Sequence, residues 1–226
     1  MASLRAPLAE FLGTFFLCFA GIAAILSNTT VVGGNLGIVG IALAHGLALS
    51  IAVNAFGGVS GAHFNPALTA GLLATGRISA PNAGIYVLFQ LAGATAAAAV
   101  CKAVFPAAAV AGANLGIPLP AAWASTAAVA TMEFVMTFLL MTAFFGTAID
   151  ERGKAVKIGG FGIGLTVTFD ILAGGAVTGA SMNPARSFGP AFMQNYWTWH
   201  PLYWLAPIAG AVSAALVYQH LILDKK

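Results

Sequence analysis

Long apolar stretches fill most of this chain, and they constrain its fold more than any other feature of the sequence. A helix that crosses a bilayer needs about 20 apolar residues. Six stretches reach or approach that length, at residues 7–26, 36–56, 84–104, 122–149, 158–172 and 202–223. Two further apolar segments, residues 65–75 and 183–195, are too short to span and have the length typical of re-entrant segments. We therefore predict an all-α membrane protein with six transmembrane helices and two re-entrant half-helices.

The scarcity of charge excludes several other classes of protein. Only 7% of the 226 residues are charged, whereas a soluble domain carries about 25% charged residues. This excludes an ordinary globular enzyme, a disordered protein and a protein that binds nucleic acid through a basic face. Both cysteines, Cys18 and Cys101, lie in apolar stretches without the spacing of a metal site. We expect no cofactor and no metal.

The few basic residues predict the orientation of the chain. Most precede the first stretch, fall in alternate connections or end the chain: Arg5, Arg77, Arg152, Lys154, Lys157, Lys225 and Lys226. The intervening connections, residues 27–35 and 105–120, contain no Lys or Arg. Because cytoplasmic connections are enriched in Lys and Arg, both termini are predicted to be cytoplasmic. Lys102 is then expected to extend to the outer interface. Asn28, which begins a glycosylation sequon, is more simply interpreted as part of a plain outer loop.

The chain consists of two similar halves within a single domain. The pattern Gly-Ala-x-x-Asn-Pro-Ala occurs at residues 61–67 and again at residues 179–185. The pattern Glu-Phe-x-x-Thr-Phe follows the same order, beginning at Glu10 and at Glu133. We take repeat 1 as about residues 5–104 and repeat 2 as about residues 122–223. Each repeat contains three spans, so the second enters from the opposite side, and such inverted repeats place a site near the bilayer midplane.

An Asn-Pro-Ala triplet begins each short segment. Asn is a favoured helix N-cap and Pro is favoured at the first helical position. The triplets are Asn65, Pro66 and Ala67 in the first half, and Asn183, Pro184 and Ala185 in the second. Each segment is therefore predicted to be a half-helix that begins in mid-membrane, with the two N-termini facing each other.

The glycine-rich stretches before the triplets, residues 57–64 and 174–182, are predicted to be non-helical. Non-helical backbone at this depth is tolerated only where it is buried in protein or lines a watery cavity. We expect a ladder of carbonyl acceptors down a pore, from Gly61, Ala62, His63, Gly179, Ala180 and Ser181. The amides of both Asn residues would donate at its centre. The two helix N-termini would add positive potential there, which opposes cations and hydronium.

These motifs resemble the aquaporin, or major intrinsic protein, family over nearly the full length of the chain. The resemblance rests on the two Asn-Pro-Ala boxes, on His63 before the first and on Arg186-Ser-Phe-Gly after the second. It implies a passive channel for water that is not an enzyme, excludes protons and ions, and assembles in the bilayer as a homotetramer with one pore per subunit. Four further positions resemble water-selective members and differ from glycerol facilitators: Ser187, Ala191, Tyr203 and Trp204.

The resemblance also implies an outer selectivity filter of four residues, His45, Ile171, Ala180 and Arg186. Orthodox water channels carry Phe and His where this chain has His45 and Ile171. The pattern here is similar to that of plant tonoplast intrinsic proteins, a branch that includes channels for ammonia, urea or hydrogen peroxide besides water. Ala180 holds the place of Cys in mercury-sensitive members.

Several charged or polar residues admit two interpretations. Arg186 is either the filter arginine or an interfacial side chain, and His45 is either a filter residue or a buried structural histidine. Glu10 and Glu133 either hold the re-entrant loops through backbone N–H groups or relay protons. Asp170 either packs against a neighbouring helix or subunit, or pairs with His45 and tunes the filter with pH.

Two other functions remain open at this point. An ion-coupled transporter for small solutes would use the same inverted repeat but would need a midplane cation site, for which only Glu10, Glu133 and Asp170 are available. A non-conducting structural membrane protein is the second alternative, and vesicles no more permeable than empty ones would favour it.

Overall fold

The structure, a computed structural model, describes residues 4–30 and 35–223. Its α-helices in chain order are α1 (Arg5–Thr30), α2 (Gly37–Ser60), α3 (Pro66–Ala74), α4 (Ala80–Val104), α5 (Ala107–Gly112), α6 (Thr126–Phe144), α7 (Glu151–Val156), α8 (Gly160–Thr178), α9 (Pro184–Gln194) and α10 (Leu202–Val217). Two π-helical turns, Phe145–Ile149 and Tyr218–Ile222, extend α6 and α10.

Six helices in the described part of the chain are long and apolar enough to cross a membrane: α1, α2, α4, α6, α8 and α10. The short helices α3 and α9 lie between spans in the two halves, where the re-entrant segments are predicted. The predicted all-α fold with six spans and two half-helices is therefore confirmed.

The predicted non-helical stretches are too long. Helix α2 continues to Ser60 and α8 continues to Thr178, although both were expected to have ended several residues earlier. Each ends at a glycine with a left-handed backbone, Gly61 at φ +86° and Gly179 at φ +77°. Such a glycine is the usual C-terminal stop of a helix. Only about five residues of irregular backbone therefore precede each half-helix.

The connections contain more structure than their composition suggests. The connection at residues 105–120 includes α5 and a short 3₁₀ turn, Asn114–Gly116. Asn28 lies within α1, where its side chain accepts a hydrogen bond from the Gly37 N–H at 2.9 Å, so the expected plain loop is wrong. The Lys102 ammonium donates to the Met193 carbonyl at 2.6 Å, near the C-terminal end of α9.

Two glycines allow close helix crossings at matching places in the two halves. A Cβ at Gly93 in α4 would lie 2.3 Å from the Phe11 carbonyl oxygen of α1. A Cβ at Gly210 in α10 would lie 2.3 Å from the Phe134 carbonyl oxygen of α6. No side chain fits at these distances, so the backbones of each pair pack directly together, as small residues allow in membrane helices. Each half-helix packs mainly on a span of the other half, α3 on α10 and α9 on α4.

Candidate pore

The two Asn-Pro-Ala triplets begin half-helices by the same local geometry. The Asn65 Oδ1 accepts from the Ala67 N–H at 2.8 Å, and the Asn183 Oδ1 accepts from the Ala185 N–H at 2.9 Å. Both Asn residues have extended backbones, and Pro occupies the first helical position of each half-helix. This is the N-cap arrangement expected from these residue types. It holds each amide at the start of its half-helix.

The amide groups of the two Asn residues cross between the halves. The Asn65 Nδ2 donates to the Met182 carbonyl at 2.8 Å, and the Asn183 Nδ2 donates to the Phe64 carbonyl at 2.9 Å. The N-cap Asn of each half-helix thus holds the re-entrant loop of the other half in place. An amide NH₂ has two hydrogens, so one N–H of each Asn remains available to a molecule in the cavity.

The re-entrant loops hold a strained, alternating backbone. Ala62, Phe64, Ala180 and Met182 have φ between +44° and +54°, a region that non-glycine residues rarely adopt. Such residues cost on the order of 1–3 kcal/mol each and persist only where the surroundings hold them in place.

Glu10 supports the first loop from behind. Its Oε1 accepts from the Ser60 hydroxyl at 2.6 Å and the His63 N–H at 3.0 Å. Its Oε2 accepts from the Phe64 N–H at 2.7 Å and the Gln90 side-chain amide at 2.7 Å. The carboxylate is fully buried, and four donors compensate the loss of water.

Glu133 occupies the matching position behind the second loop. Its Oε1 accepts from the Thr178 hydroxyl at 2.6 Å and the Ser181 N–H at 2.8 Å, and its Oε2 accepts from the Met182 N–H at 2.7 Å. These backbone donors agree with the interpretation in which Glu10 and Glu133 hold the re-entrant loops. Neither carboxylate has a basic side chain as a hydrogen-bond partner in the described residues.

Sequence reasoning missed the side chains that complete these two networks. The Tyr86 hydroxyl donates to the Ser60 carbonyl at 2.9 Å, and the Tyr203 hydroxyl donates to the Thr178 carbonyl. These two tyrosines begin similar segments of the two halves, residues 86–94 and 203–211, and this similarity was the available signal. Gln90 gave no comparable signal, because Pro207 stands at the corresponding place in the second half.

The cavity between the half-helices is narrow at its centre and wider at both ends. The centre of a water molecule can occupy about 20 Å³ of the narrow part, and about 10–15 Å³ is enough for one water. The narrow part is lined by both Asn residues, all four predicted filter residues and four of the predicted carbonyl residues: His45, Ala62, His63, Asn65, Ile171, Ala180, Ser181, Asn183 and Arg186. By the same measure the chamber beside Gly179, which we name the outer chamber, has about 270 Å³, and the chamber beside Gly61, which we name the inner chamber, has about 440 Å³.

The remaining predicted site residues lie at the edges of this path. Gly61 lines the inner chamber and Gly179 lines the outer chamber. Pro66, Ala67, Pro184 and Ala185 are buried at the starts of the half-helices. One wall of the narrow part is apolar and is formed by side chains of four helices: Leu17, Leu49, Leu140 and Val167. A water molecule there can form hydrogen bonds only on the loop side.

Arg186 and His45 form a pair at the outer end of the narrow part. The His45 Nδ1 donates to the Ile41 carbonyl at 2.8 Å, because that oxygen is only an acceptor. The Arg186 Nε then donates to the His45 Nε2 at 3.3 Å. Both ring nitrogens are occupied, so the alternative in which His45 pairs with Asp170 is wrong. The Arg186 Nη1 has no hydrogen-bond partner in the described residues and can donate to a molecule in the pore.

Asp170 lies on α8 and is not among the residues that line the narrow part. It is 1% exposed, and its Oδ2 has no hydrogen-bond partner in the part of the chain that the structure describes. The structure thus buries Asp170 within α8.

Gly21 of α1 makes room for the filter histidine, and its replacement is a test of the pair. A Cβ at Gly21 would lie 2.1 Å from the His45 Nε2, so Gly21→Ala is expected to displace His45 and release Arg186. Overpacking of this kind costs about 1–3 kcal/mol. We expect a lower midpoint of thermal unfolding and an altered ratio of urea to water permeability.

Gly84→Ala is the matched control, because a Cβ at Gly84 meets nothing within 4 Å. It is expected to leave both measurements unchanged or to raise stability by up to about 1 kcal/mol. Equal behaviour of the two variants would contradict the packing of His45 on Gly21.

Known proteins are similar to this chain both in sequence and in fold. The profile of the major intrinsic protein family matches residues 1–218. Aquaporin TIP4-4 of Zea mays is 41% identical over 225 residues, which cover 97% of this chain and 87% of that protein. Aquaporin NIP1-4 of Oryza sativa subsp. japonica is 40% identical over 215 residues, covering 95% and 76%. The X-ray structure of the aquaglyceroporin from Plasmodium falciparum superposes with a TM-score of 0.84 at 25% identity, covering 97% of this chain and 96% of that one.

Proposed function

The chain belongs to the major intrinsic protein family, and from that premise we propose that the cavity between its two half-helices is a pore selective for water and small neutral solutes. The protein is a passive membrane channel for water and small solutes. The observation that most strongly supports this path is that the side-chain amides of Asn65 and Asn183 each donate to a carbonyl in the re-entrant loop of the other half. It leaves one donor from each half at the narrowest region.

Water is expected to pass this region in single file. The free N–H of each Asn donates to the oxygen of a central water, whose own hydrogens then point outward to the loop carbonyls. The apolar wall offers no further hydrogen bond, so the water keeps this orientation. A chain of waters oriented outward from its centre does not relay protons through that point.

Charge exclusion follows from the same elements. The facing N-termini of α3 and α9 place partial positive charge at the centre. Arg186 adds a full positive charge at the outer end of the narrow part. Cations would also lose most of their hydration there without a negative group in compensation, because Glu10 and Glu133 are engaged by loop donors behind the pore wall. This engagement is also the reason to prefer a passive channel over an ion-coupled transporter.

The filter residues favour permeants besides water. Hydrogen bonds with the Ile41 carbonyl and with Arg186 hold the His45 ring in place, and Ile171 adds an aliphatic side chain to the lining. We propose that ammonia, urea or hydrogen peroxide can pass this ring. Catalytic groups have no part in this function.

The remaining proposals concern the internal repeat, the orientation of the chain and its assembly in the membrane. We propose that residues 5–104 and 122–223 are the two inverted repeats of one channel domain, that both termini are cytoplasmic and that the chain forms a homotetramer with one pore per subunit. The matching glycine crossings and glutamate networks support the repeats. Protease accessibility of the termini in sealed vesicles tests the orientation.

A permeability panel on the purified, reconstituted protein tests the proposed permeants. Water, ammonia, urea, glycerol and hydrogen peroxide would be compared in stopped-flow experiments, with empty vesicles as the blank. We expect water and at least one of ammonia, urea and peroxide to pass, and glycerol to pass poorly. The double variant His45→Phe, Ile171→His should retain water and lose urea. Unchanged solute selectivity in that variant would contradict the assignment of the filter.

The filter also predicts the response to mercurials. Ala180 lines the narrow part, while Cys18 and Cys101 are buried at 1% and 0% exposure, and neither is among the residues that line it. The wild-type channel is therefore expected to resist mercurials, and Ala180→Cys is expected to become sensitive in a water-flux assay. Strong inhibition that survives removal of both native cysteines would contradict the placement of Ala180.

A further inference from the structure

The inner and outer chambers of the pore differ in charge. Among the described residues, the inner chamber of about 440 Å³ is lined by two charged side chains, and both are basic, Arg77 and Lys154. They come from different elements, the turn after α3 and the short helix α7. His63 lines both the inner chamber and the narrow part. A molecule held between the two basic groups would therefore stand directly in front of the narrow part.

Arg77 is held in place without being neutralised. Its Nε and Nη2 donate to the Gln219 Oε1 at 3.2 and 3.0 Å, and its guanidinium lies 5.2 Å from the centre of the Phe145 ring. These partners are an amide and an aromatic ring, and no carboxylate pairs with Arg77 within residues 4–30 and 35–223. A guanidinium held in this way keeps its charge and loses less side-chain freedom when it binds an anion.

Lys154 has only a weak competitor. Its Nζ lies 2.8 Å from the Glu151 Oε1, but the two side chains are 45% and 69% exposed. Ion pairs at such exposed positions contribute little, so Lys154 can turn toward an anion in the chamber. Asn54 and Thr147 add uncharged polar side chains to the same lining.

We propose that the inner chamber is a binding site for a small phosphate-bearing anion, held between Arg77 and Lys154, and that the bound anion obstructs the water path. A phosphate group offers several acceptor oxygens and up to two negative charges. The forked N–H groups of arginine fit phosphate geometry, and lysine acts as a point charge. The group could belong to a soluble phosphate ester or to a lipid headgroup of the inner leaflet. Only the obstruction rests on the proposed water pathway.

Direct binding tests the site independently of conduction. Calorimetry on the purified full-length protein with inorganic pyrophosphate is expected to give a dissociation constant of about 1 mM at low salt, weakening as salt is added. Arg77→Gln and Lys154→Gln should each weaken binding about tenfold, the loss expected for one charge-assisted contact. Lys157→Gln removes the same charge three residues further along the chain, outside the chamber lining, and it should bind like the wild type. Absence of binding, or equal effects of all three changes, would overturn the site.

Water flux tests the obstruction. With pyrophosphate on both sides of phosphatidylcholine vesicles at ten times its dissociation constant, mass action leaves about one channel in eleven unoccupied. Channel-mediated water flux should then fall about tenfold, and in Lys154→Gln, which binds about tenfold more weakly, it should recover to about half. If pyrophosphate slows the flux, further slowing by phosphatidic acid in the bilayer would extend the site to a lipid headgroup, and no further slowing would assign it to a soluble phosphate ester. Bound pyrophosphate with unchanged flux would refute the obstruction. A channel that conducts no water without pyrophosphate would instead refute the proposed pathway.

Discussion

Replacement of Arg186 by valine is expected to raise proton and small-cation permeability on the order of 100-fold while water permeation continues. A unit charge about 6 Å from a permeating cation contributes about 3 kcal/mol at an effective dielectric constant of about 20, which corresponds to about 100-fold in rate. Arg186 is buried at the outer end of the narrow part, and its Nη1 has no partner in the described residues. Its removal leaves no positive side chain in that region of the lining.

Proton flux into vesicles loaded with a pH-sensitive dye measures this effect. Lys102→Gln is a suitable control, since it removes a basic side chain that contacts the far end of α9 without lining the narrow part. A proton permeability of Arg186→Val equal to that of this control would contradict the charge barrier.

Asn183→Asp tests the central part of the same barrier. Aspartate can still accept from the Ala185 N–H but can no longer donate to the Phe64 carbonyl. It also places a negative charge where the helix N-termini are positive. Cation leakage with retained assembly is the expected result, and unchanged cation permeability in both this variant and Arg186→Val would refute the mechanism.

The second large effect concerns stability. Glu133→Gln is expected to destabilise the protein by about 2–4 kcal/mol, because its NH₂ group must face at least one buried donor of Thr178, Ser181 or Met182. The strained backbone at Ala180 and Met182 would lose its anchor at the same time. The midpoint of thermal unfolding, followed in detergent, should fall clearly below that of the wild type.

Glu151→Gln is the matched control for this change, since its side chain is 69% exposed and pairs with Lys154 at the surface. An exposed pair of this kind contributes about 0–1 kcal/mol. Glu10→Gln should resemble Glu133→Gln, because Glu10 accepts four hydrogen bonds in the equivalent place. If Glu133→Gln unfolds at the same temperature as Glu151→Gln, the scaffolding role is wrong.

The fold could be predicted from the sequence because its determinants are local. Span length sets the number of transmembrane helices, and Asn followed by Pro starts a helix wherever it stands. The predicted helix ends were less accurate, because α2 and α8 continue through glycines until a left-handed glycine stops them. The short helices α5 and α7 were missed, since their sequences have too few residues to show a periodic pattern.

The contacts of the site depend on how distant segments meet, and the sequence does not contain that information in any one place. Asn65 and Asn183 were identified as donors to the pore, but their bonds to Met182 and Phe64 follow from the approach of the two halves. The bond between His45 and Arg186 likewise joins α2 to α9.

The most direct test of the central claim is the osmotic water permeability of vesicles that contain the purified protein. We predict shrinkage faster than that of empty vesicles, with a low activation energy, no dependence on an ion gradient and no accompanying proton flux. Shrinkage no faster than that of empty vesicles, or flux that requires an ion gradient, would contradict a passive water pore between the two half-helices.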